Sequence, residues 1–344
     1  MTIVRNGDDQ ILDFTPAATL IPRTDNALGA LGLFEDFYGE TTTVEIERIT
    51  QDYDVLEASQ RGGDRNYAGE EKSQIEAFRI PFFTSDKVIK AKEVQDFREY
   101  ATAAEGSSVE TRVDRALARI LLNHDFLKRK AMYACLKGST YAEGLAGTQY
   151  VKDLATVWGV TGDVFTGGID FTDPTADPAL YVEKNCREHI INQAQNNAEV
   201  YSVVALCGSG FFNSLTHNPF VQAAFSAYSS DQEVLRKRLG RNGQEDTVGR
   251  EFFYKGVTYL EDVSGEIARD EAYVFPVGIQ DMFMTHYAPS DTIEGANDIA
   301  EASYVWLDIT RRTAKLESET SFVCINTRPE LVCKLTSNNL APNA

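Results

Sequence analysis

The chain has 344 residues, 43% of them hydrophobic, which is too apolar for a disordered polymer and enough for one elaborated domain or two. No run approaches the roughly 18 apolar residues of a membrane span, and the opening MTIVRNGDDQ carries an acidic pair where an export signal carries an apolar segment. A net charge of -19 argues against a surface built to grip phosphates, which needs clustered Lys and Arg, and it would repel DNA held nearby. Cys135, Cys186, Cys207, Cys324 and Cys333 include no CxxC pair and mostly sit in apolar runs, as reduced core thiols do, so synthesis in a reducing cytoplasm is expected.

Residues 1–40 mix Pro16, Pro22 and two short apolar patches, the denser being LGALGLFEDFYG, and read as an extended arm that packs on something else. In TTTVEIERITQDYDVLE the apolar residues alternate with a period of two that slips once near Arg48, which predicts a strand with a bulge or twist. The stretch ASQRGGDRNYAGEEKSQ that follows has no Leu, Ile, Val or Phe, and SQIEAFRIPFFTSDKVI then alternates again, with Pro81 barring a central strand. Two strands with so long a charged connection form an extended hairpin, and loops beyond roughly 12–15 residues in a domain tend to be functional or disordered.

Ser107 and Glu110 match a capping box, and Val109, Val113, Ala116, Leu117, Ile120, Leu121, His124, Leu127, Ala131 and Cys135 recur at helical spacing up to Gly138. A helix over 107–137 would run roughly 45 Å at about 1.5 Å per residue, as a spine under a sheet or as a long helix of a large enzyme. A second amphipathic helix is predicted from Tyr181 to Ala194. EVYSVVALCGSGFFNSLTHNPFVQAAF reads as buried strand, tight turn and helix, with Ser209 as helix cap. REFFYKGVTYLEDVSG predicts paired strands turning at Lys255-Gly256, AYVFPV another strand, and the segment from Trp306 to Leu335 long strands broken at Pro329. The class is therefore α+β, closed by non-local pairing.

Chemistry finds little support. Gly208 and Gly210 flank Ser209 directly, whereas a nucleophile elbow needs Gly two residues to either side, and no Lys is present for a phosphate loop. His124, His189, His217 and His286 are too scattered for a helical zinc pair. GDDQ, the DYD of 52–54 and the DPTADP of 173–178 lack a calcium-loop ladder and read as solvated loops. No metal or cofactor is expected. RKRLGRNG, residues 236–243, is the one dense basic patch; without interleaved aromatics it fits a contact with an acidic neighbour better than one with nucleic acid.

The order of parts, with RGG at 61–63, CLKGST, ALCGSGFFNSLTHNPFVQAAF, FYKGVTYLEDVSG, YVFPVG, THYAPSDTIEGAND and TSFVCINTRPELVCKL spread over about 280 residues, resembles the major capsid proteins of tailed bacteriophages, lambda-type branch, with the HK97-like fold. The resemblance implies a non-enzymatic subunit that self-assembles as pentamers and hexamers into an icosahedral phage head enclosing double-stranded DNA. It implies an N-terminal arm (1–41), an extended loop (42–89), a peripheral domain (90–194 and 290–329) with spine helix 107–137, and an axial domain (195–289 and 330–344). Inter-subunit contacts are expected at Arg61, Asp64, Arg65, Glu70, Glu71 and Lys72 in the hairpin, and at Arg236, Lys237, Arg238 and Arg241 on an axial loop. Implied partners are other copies, a separate scaffolding protein and maturation protease, a portal, a decoration protein and non-specifically touched DNA, with no membrane. The place is the virion, after assembly in the host cytoplasm. Two rivals remain open: an encapsulin-like compartment shell, and a cytoplasmic hydrolase using Ser209.

Overall fold

The computed structural model describes residues 26–50, 72–94, 109–173, 175–194, 202–227, 238–241, 244–293, 295 and 298–340. In chain order these form a single helical turn α1 (Ala27–Ala30), strand β1 (Glu35–Tyr38), the hairpin of β2 (Thr43–Thr50) and β3 (Lys72–Arg79), then β4 (Phe82–Thr84), β5 (Lys87–Lys90), the turn α2 (Ala91–Val94) and the long helix α3 (Val109–Leu136). Next come α4 (Leu154–Val157), β6 (Thr166–Asp170) and α5 (Pro178–Val182), which passes through a π turn (Glu183–Arg187) into α6 (Glu188–Ala194). The chain continues with β7 (Ser202–Cys207), α7 (Ser209–Thr216), α8 (Pro219–Ala227), β8 (Arg238–Arg241), β9 (Gln244–Tyr254), β10 (Val257–Glu261) and β11 (Glu271–Val277). It ends with β12 (Phe283–Tyr287), β13 (Tyr304–Ile309), β14 (Thr313–Asn326), a 3₁₀ turn (Pro329–Leu331) and β15 (Cys333–Asn339).

Two sheets organise these elements. One has the order β6-β15-β11-β7-β10-β9-β8, and the other is gathered on the 14-residue strand β14, which pairs with β4, β5, β12 and β13 while β1 lies parallel to β12. The apolar run of β7 is explained by burial on both faces, as in the interior strands of layered α/β folds. Val204 and Leu206 enter a core shared with the end of α3 and the second sheet, whereas Val203, Ala205 and Cys207 enter a second core under α5, α6 and α7. The first half of α3 packs separately, with Val113 and Ile120 against Ile89, Ala314 and Leu316.

Several expectations hold in detail. Helix α3 spans 28 residues, about 42 Å at 1.5 Å per residue. It ends in a Schellman pair, in which Gly138 N–H donates to the Cys135 carbonyl and Ser139 N–H to the Ala134 carbonyl, both at 3.0 Å, with Gly138 at φ +95°. Lys255 and Gly256, both with positive φ, form the two-residue turn that joins Tyr254 and Val257 as partners.

Others need correction. The expected slip near Arg48 is absent, because β2 and β3 keep one register from Thr43↔Arg79 to Thr50↔Lys72. The apparent slip arises because Ile49 belongs to the outward face. The helix expected from Tyr181 starts earlier, at Pro178, where Asp177 accepts from the N–H groups of Ala179 and Leu180 at 3.0 and 3.1 Å. The cap of α7 is Gly208 rather than Ser209, and the N–H of Phe211 is taken by the Arg269 carbonyl at 2.9 Å instead of by a side chain. The second half of the arm packs on its own chain: Leu28 is fully buried and β1 adds an edge to β12. Ser107 of the proposed capping box lies outside the described residues.

Candidate inter-subunit surfaces

Period-two alternation gives the hairpin of β2 and β3 two unlike faces. Inward, Ile46 and Phe78 are buried, and Phe78 packs on Trp158 with ring centres 6.0 Å apart. Gln74 Nε2 donates to the Val157 carbonyl at 2.8 Å, and Lys152 Nζ donates to the Ala77 carbonyl at 2.6 Å. Arg48 reaches across to Glu330, Nη2 to Oε1 at 2.7 Å, with Arg328 Nε 3.6 Å from the same oxygen. Outward, Glu45, Glu47, Ser73 and Ala77 are exposed, and Ile49 and Ile75 stand 56% and 61% exposed. The hairpin stem is thus bolted to its own subunit on one side and presents a mixed apolar and acidic strip on the other.

Helix α3 is likewise two-faced midway along its length. His124 is half-buried and hydrogen-bonded to Ser318 at 3.2 Å, while Leu121, Leu122 and Phe126 remain exposed. Leu121 was expected on the inner stripe; it lies instead on this outer patch. At its end α3 is held by a buried network, with Tyr133 Oη donating to Asp262 at 2.8 Å and Asp262 also accepting from the N–H groups of Ser264 and Ile267. Burial and that carboxylate push the Tyr133 hydroxyl well above its ordinary range. Strand β13 pairs only with β14 among the described strands, leaving an edge that carries exposed Leu307 and Ile309.

A polar cleft of about 590 Å³ lies between the hairpin stem and the turns that bound β12 and β14. Its walls include Glu45, Glu47, Arg48, Asp281, His286 and Glu330. His286 stacks on Phe37 at 5.1 Å, and burial lowers its pKa.

Of the contact residues expected from the sequence, Arg61, Asp64, Arg65, Glu70, Glu71, Arg236 and Lys237 lie outside the described residues. The backbone of Lys72 closes the register of the hairpin opposite Thr50, and Arg238 and Arg241 lie on β8, at one edge of the seven-stranded sheet. The Arg48–Glu330 bridge was not foreseen, because 282 residues separate its partners and no local pattern marks it. The Ser209 hydrolase finds no support: Ser209 is exposed, His189 and His217 bond to the carbonyls of Glu330 and Asn213, and His124 bonds to Ser318. Asp173 and Asp177 of the DPTADP run are engaged with Thr175 and with Lys255, and no group of metal ligands occurs among the described residues. No described helix is long and apolar enough to cross a membrane.

Comparison with known proteins identifies the family. The model of the phage major capsid protein E family matches residues 12–337. The chain belongs to that family. The major capsid protein of Pseudomonas phage KPP10 is 28% identical over 338 residues, covering 94% of this chain and 95% of that protein. Among solved structures, the capsid of cyanophage Pam1 is similar over 97% of this chain and 98% of its own, at 12% identity and a TM-score of 0.57. The capsid of Ralstonia phage GP4 is similar over the whole of both chains, at 10% identity and a TM-score of 0.55. The capsid subunit accordingly has the HK97-like fold and builds the shell of a phage head; it is a structural protein of the virion, not an enzyme or an encapsulin.

Proposed function

We propose that the capsid subunit locks to its neighbours chiefly through the extended hairpin, whose outer strip and distal loop lie on the adjacent copy in pentamers and hexamers of an icosahedral head. The observation that supports this is the exposure of Ile49 and Ile75 on a stem whose inner face is fixed to its own core. Covering the exposed part of each of these two side chains is worth about 1–2 kcal/mol. The loop residues Arg61, Asp64, Arg65, Glu70, Glu71 and Lys72 add ion pairs across the seam, each worth about 0–1 kcal/mol. Single contacts of that size let a misplaced subunit leave, and a closed shell multiplies them. Arg236, Lys237, Arg238 and Arg241 form a second contact. The seven-stranded sheet with α5 to α8 serves as the axial domain, and the six-stranded sheet with α3 as the peripheral domain. That moves β6, α5 and α6 to the axial side and β12 to the peripheral side of the boundaries expected from the sequence. A separate scaffolding protein and protease, a portal, a decoration protein and non-specifically held double-stranded DNA complete the assembly.

The test is the double variant Ile49→Lys/Ile75→Lys. The isolated subunit should keep its stability to within about 0.5 kcal/mol, as exposed substitutions do. Negative-stain images should show few or no shells. Shells at the parent's yield would refute the proposal.

A further inference from the structure

We infer that the open edge of β13 is a contact with β13 of a second copy of this chain, the two strands pairing antiparallel about a two-fold axis so that two six-stranded sheets become one. This contact is separate from the hairpin contact proposed above and rests only on the chain being a shell subunit. Sheet edges that must stay unpaired are blunted by Lys, Pro or a bulge. The six residues of β13, YVWLDI, include neither Lys nor Pro and keep one register with β14 from Tyr304↔Glu319 to Ile309↔Ala314. At the hairpin end Thr310 N–H donates to the Thr313 carbonyl at 2.8 Å, so the even-numbered residues of β13 turn their backbone groups toward β14. Alternation then aims the N–H and C=O groups of Val305, Leu307 and Ile309 at the open edge, where no described strand takes them. The side chains follow the same course. Leu307 and Ile309 stand opposite Leu316 and Ala314, which are buried with Val113 and Ile120 of α3, yet are themselves 47% and 65% exposed. Both the hydrogen-bond ladder and the apolar layer thus run out to this edge and stop there without a partner among the described residues.

Charge selects a second copy and its direction. Glu301 lies just before β13, Arg311 and Arg312 form the tip just after it, and all three are exposed with no ion pair among the described residues. Antiparallel pairing of two identical strands sets the acidic start of each beside the basic tip of the other, so opposite charges meet at both ends. Parallel pairing would set like charges together. In the register that places Arg311 opposite Glu301, Val305 of each copy faces Leu307 of the other, and these narrow pairs exchange both N–H···O bonds. Their side chains lie together on the α3 face, where the exposed apolar layer is extended across the seam. On the opposite face, where the rings of Tyr304 and Trp306 stack at 5.8 Å, Trp306 meets its own counterpart on the axis.

The experiment places a cysteine on the axis. All five native thiols are buried, so a new cysteine at this edge is the reactive one. Trp306 would face itself in a pair without hydrogen bonds, with Cα atoms about 4.5 Å apart and within disulfide reach. Asp308, on the same face, would stand four residues out of step with its counterpart, roughly 13 Å along the strand. Shells of Trp306→Cys oxidised with diamide should therefore run as dimers on a non-reducing gel, and shells of Asp308→Cys as monomers. In parallel, Arg311→Glu should lower shell yield about tenfold, and adding Glu301→Arg to the same chain should restore it. The charge arm decides alone if Trp306→Cys does not fold. Monomers from Trp306→Cys shells, equal coupling through Asp308→Cys, or no recovery in the reversed pair would overturn the strand pairing. The hairpin contact is judged separately by Ile49→Lys/Ile75→Lys, which leaves β13 unaltered.

Discussion

The bridge between Arg48 and Glu330 ties the first strand of the hairpin to the turn before the last strand, and its removal should be felt by the whole stem. Glu330 has a side chain 5% exposed and Arg48 one 20% exposed. Breaking such a pair from one side costs about 3–5 kcal/mol when both partners are fully buried. Arg48→Met keeps the aliphatic stem and removes the guanidinium. Arg328, 3.6 Å from the same carboxylate oxygen, takes up part of the lost interaction, so the expected loss is reduced to about 2 kcal/mol. Glu330→Leu leaves the more exposed Arg48 free to turn to water and should cost about 1–2 kcal/mol. The combined variant should lose less than the sum, with a coupling of about 1–2 kcal/mol. Urea unfolding of the unassembled subunit, followed by tryptophan fluorescence because Trp158 packs on the hairpin residue Phe78, measures all three. A coupling under about 0.5 kcal/mol would refute the idea that the pair fixes the stem.

Other substitutions read different parts of the fold. A Cβ at Gly208 would lie 2.0 Å from the Ala268 carbonyl oxygen, so Gly208→Ala should cost more than about 3 kcal/mol and yield insoluble protein on expression, whereas Ser209→Ala should leave both solubility and shell yield unchanged. Gly256, at φ +74°, should lose about 1–2 kcal/mol on change to Ala, seen as a lower urea midpoint with an unchanged slope. His286 and His124 both have pKa values lowered by burial from the ordinary 6.5. Below about pH 6.5 the unfolded chain binds protons that the folded chain refuses, so stability present above that pH is lost as pH falls, until the folded values are passed. The melting temperature of the unassembled subunit should therefore drop between pH 7 and pH 5, and His286→Gln should flatten part of that drop.

Local chemistry was readable where a short segment decides its own conformation. Gly138 announced the end of α3, Lys255-Gly256 the tight turn, and Pro329 the break before β15, since each acts within a few residues. The hairpin was legible from its alternation, yet one exposed Ile49 on the outer face imitated a change of register. What could not be read is what depends on partners remote in sequence. Strand β1 pairs with β12 nearly 250 residues away, by about 3.3 Å of rise per residue and no distinctive side chain. Nothing local marks Glu330 as buried; its place follows from Arg48 and Arg328 around it. Ser209 looked like a helix cap, and the Arg269 carbonyl took that role through the fold. The expected contacts at the hairpin tip rest on the resemblance, whereas the basic cluster was read as a contact from its charge alone.

All five cysteines are buried, and burial raises the pKa of Cys135, Cys207 and Cys324. A thiol that is both shielded and protonated is a poor nucleophile. A shell built in a reducing cell and released into an oxidising medium would thus carry its thiols as inert filler, with no new disulfides to distort the lattice. The same property makes each subunit its own gauge of damage: a thiol reagent added to intact heads should be consumed only as fast as subunits open, so labelling would time the failure of the shell one protomer at a time.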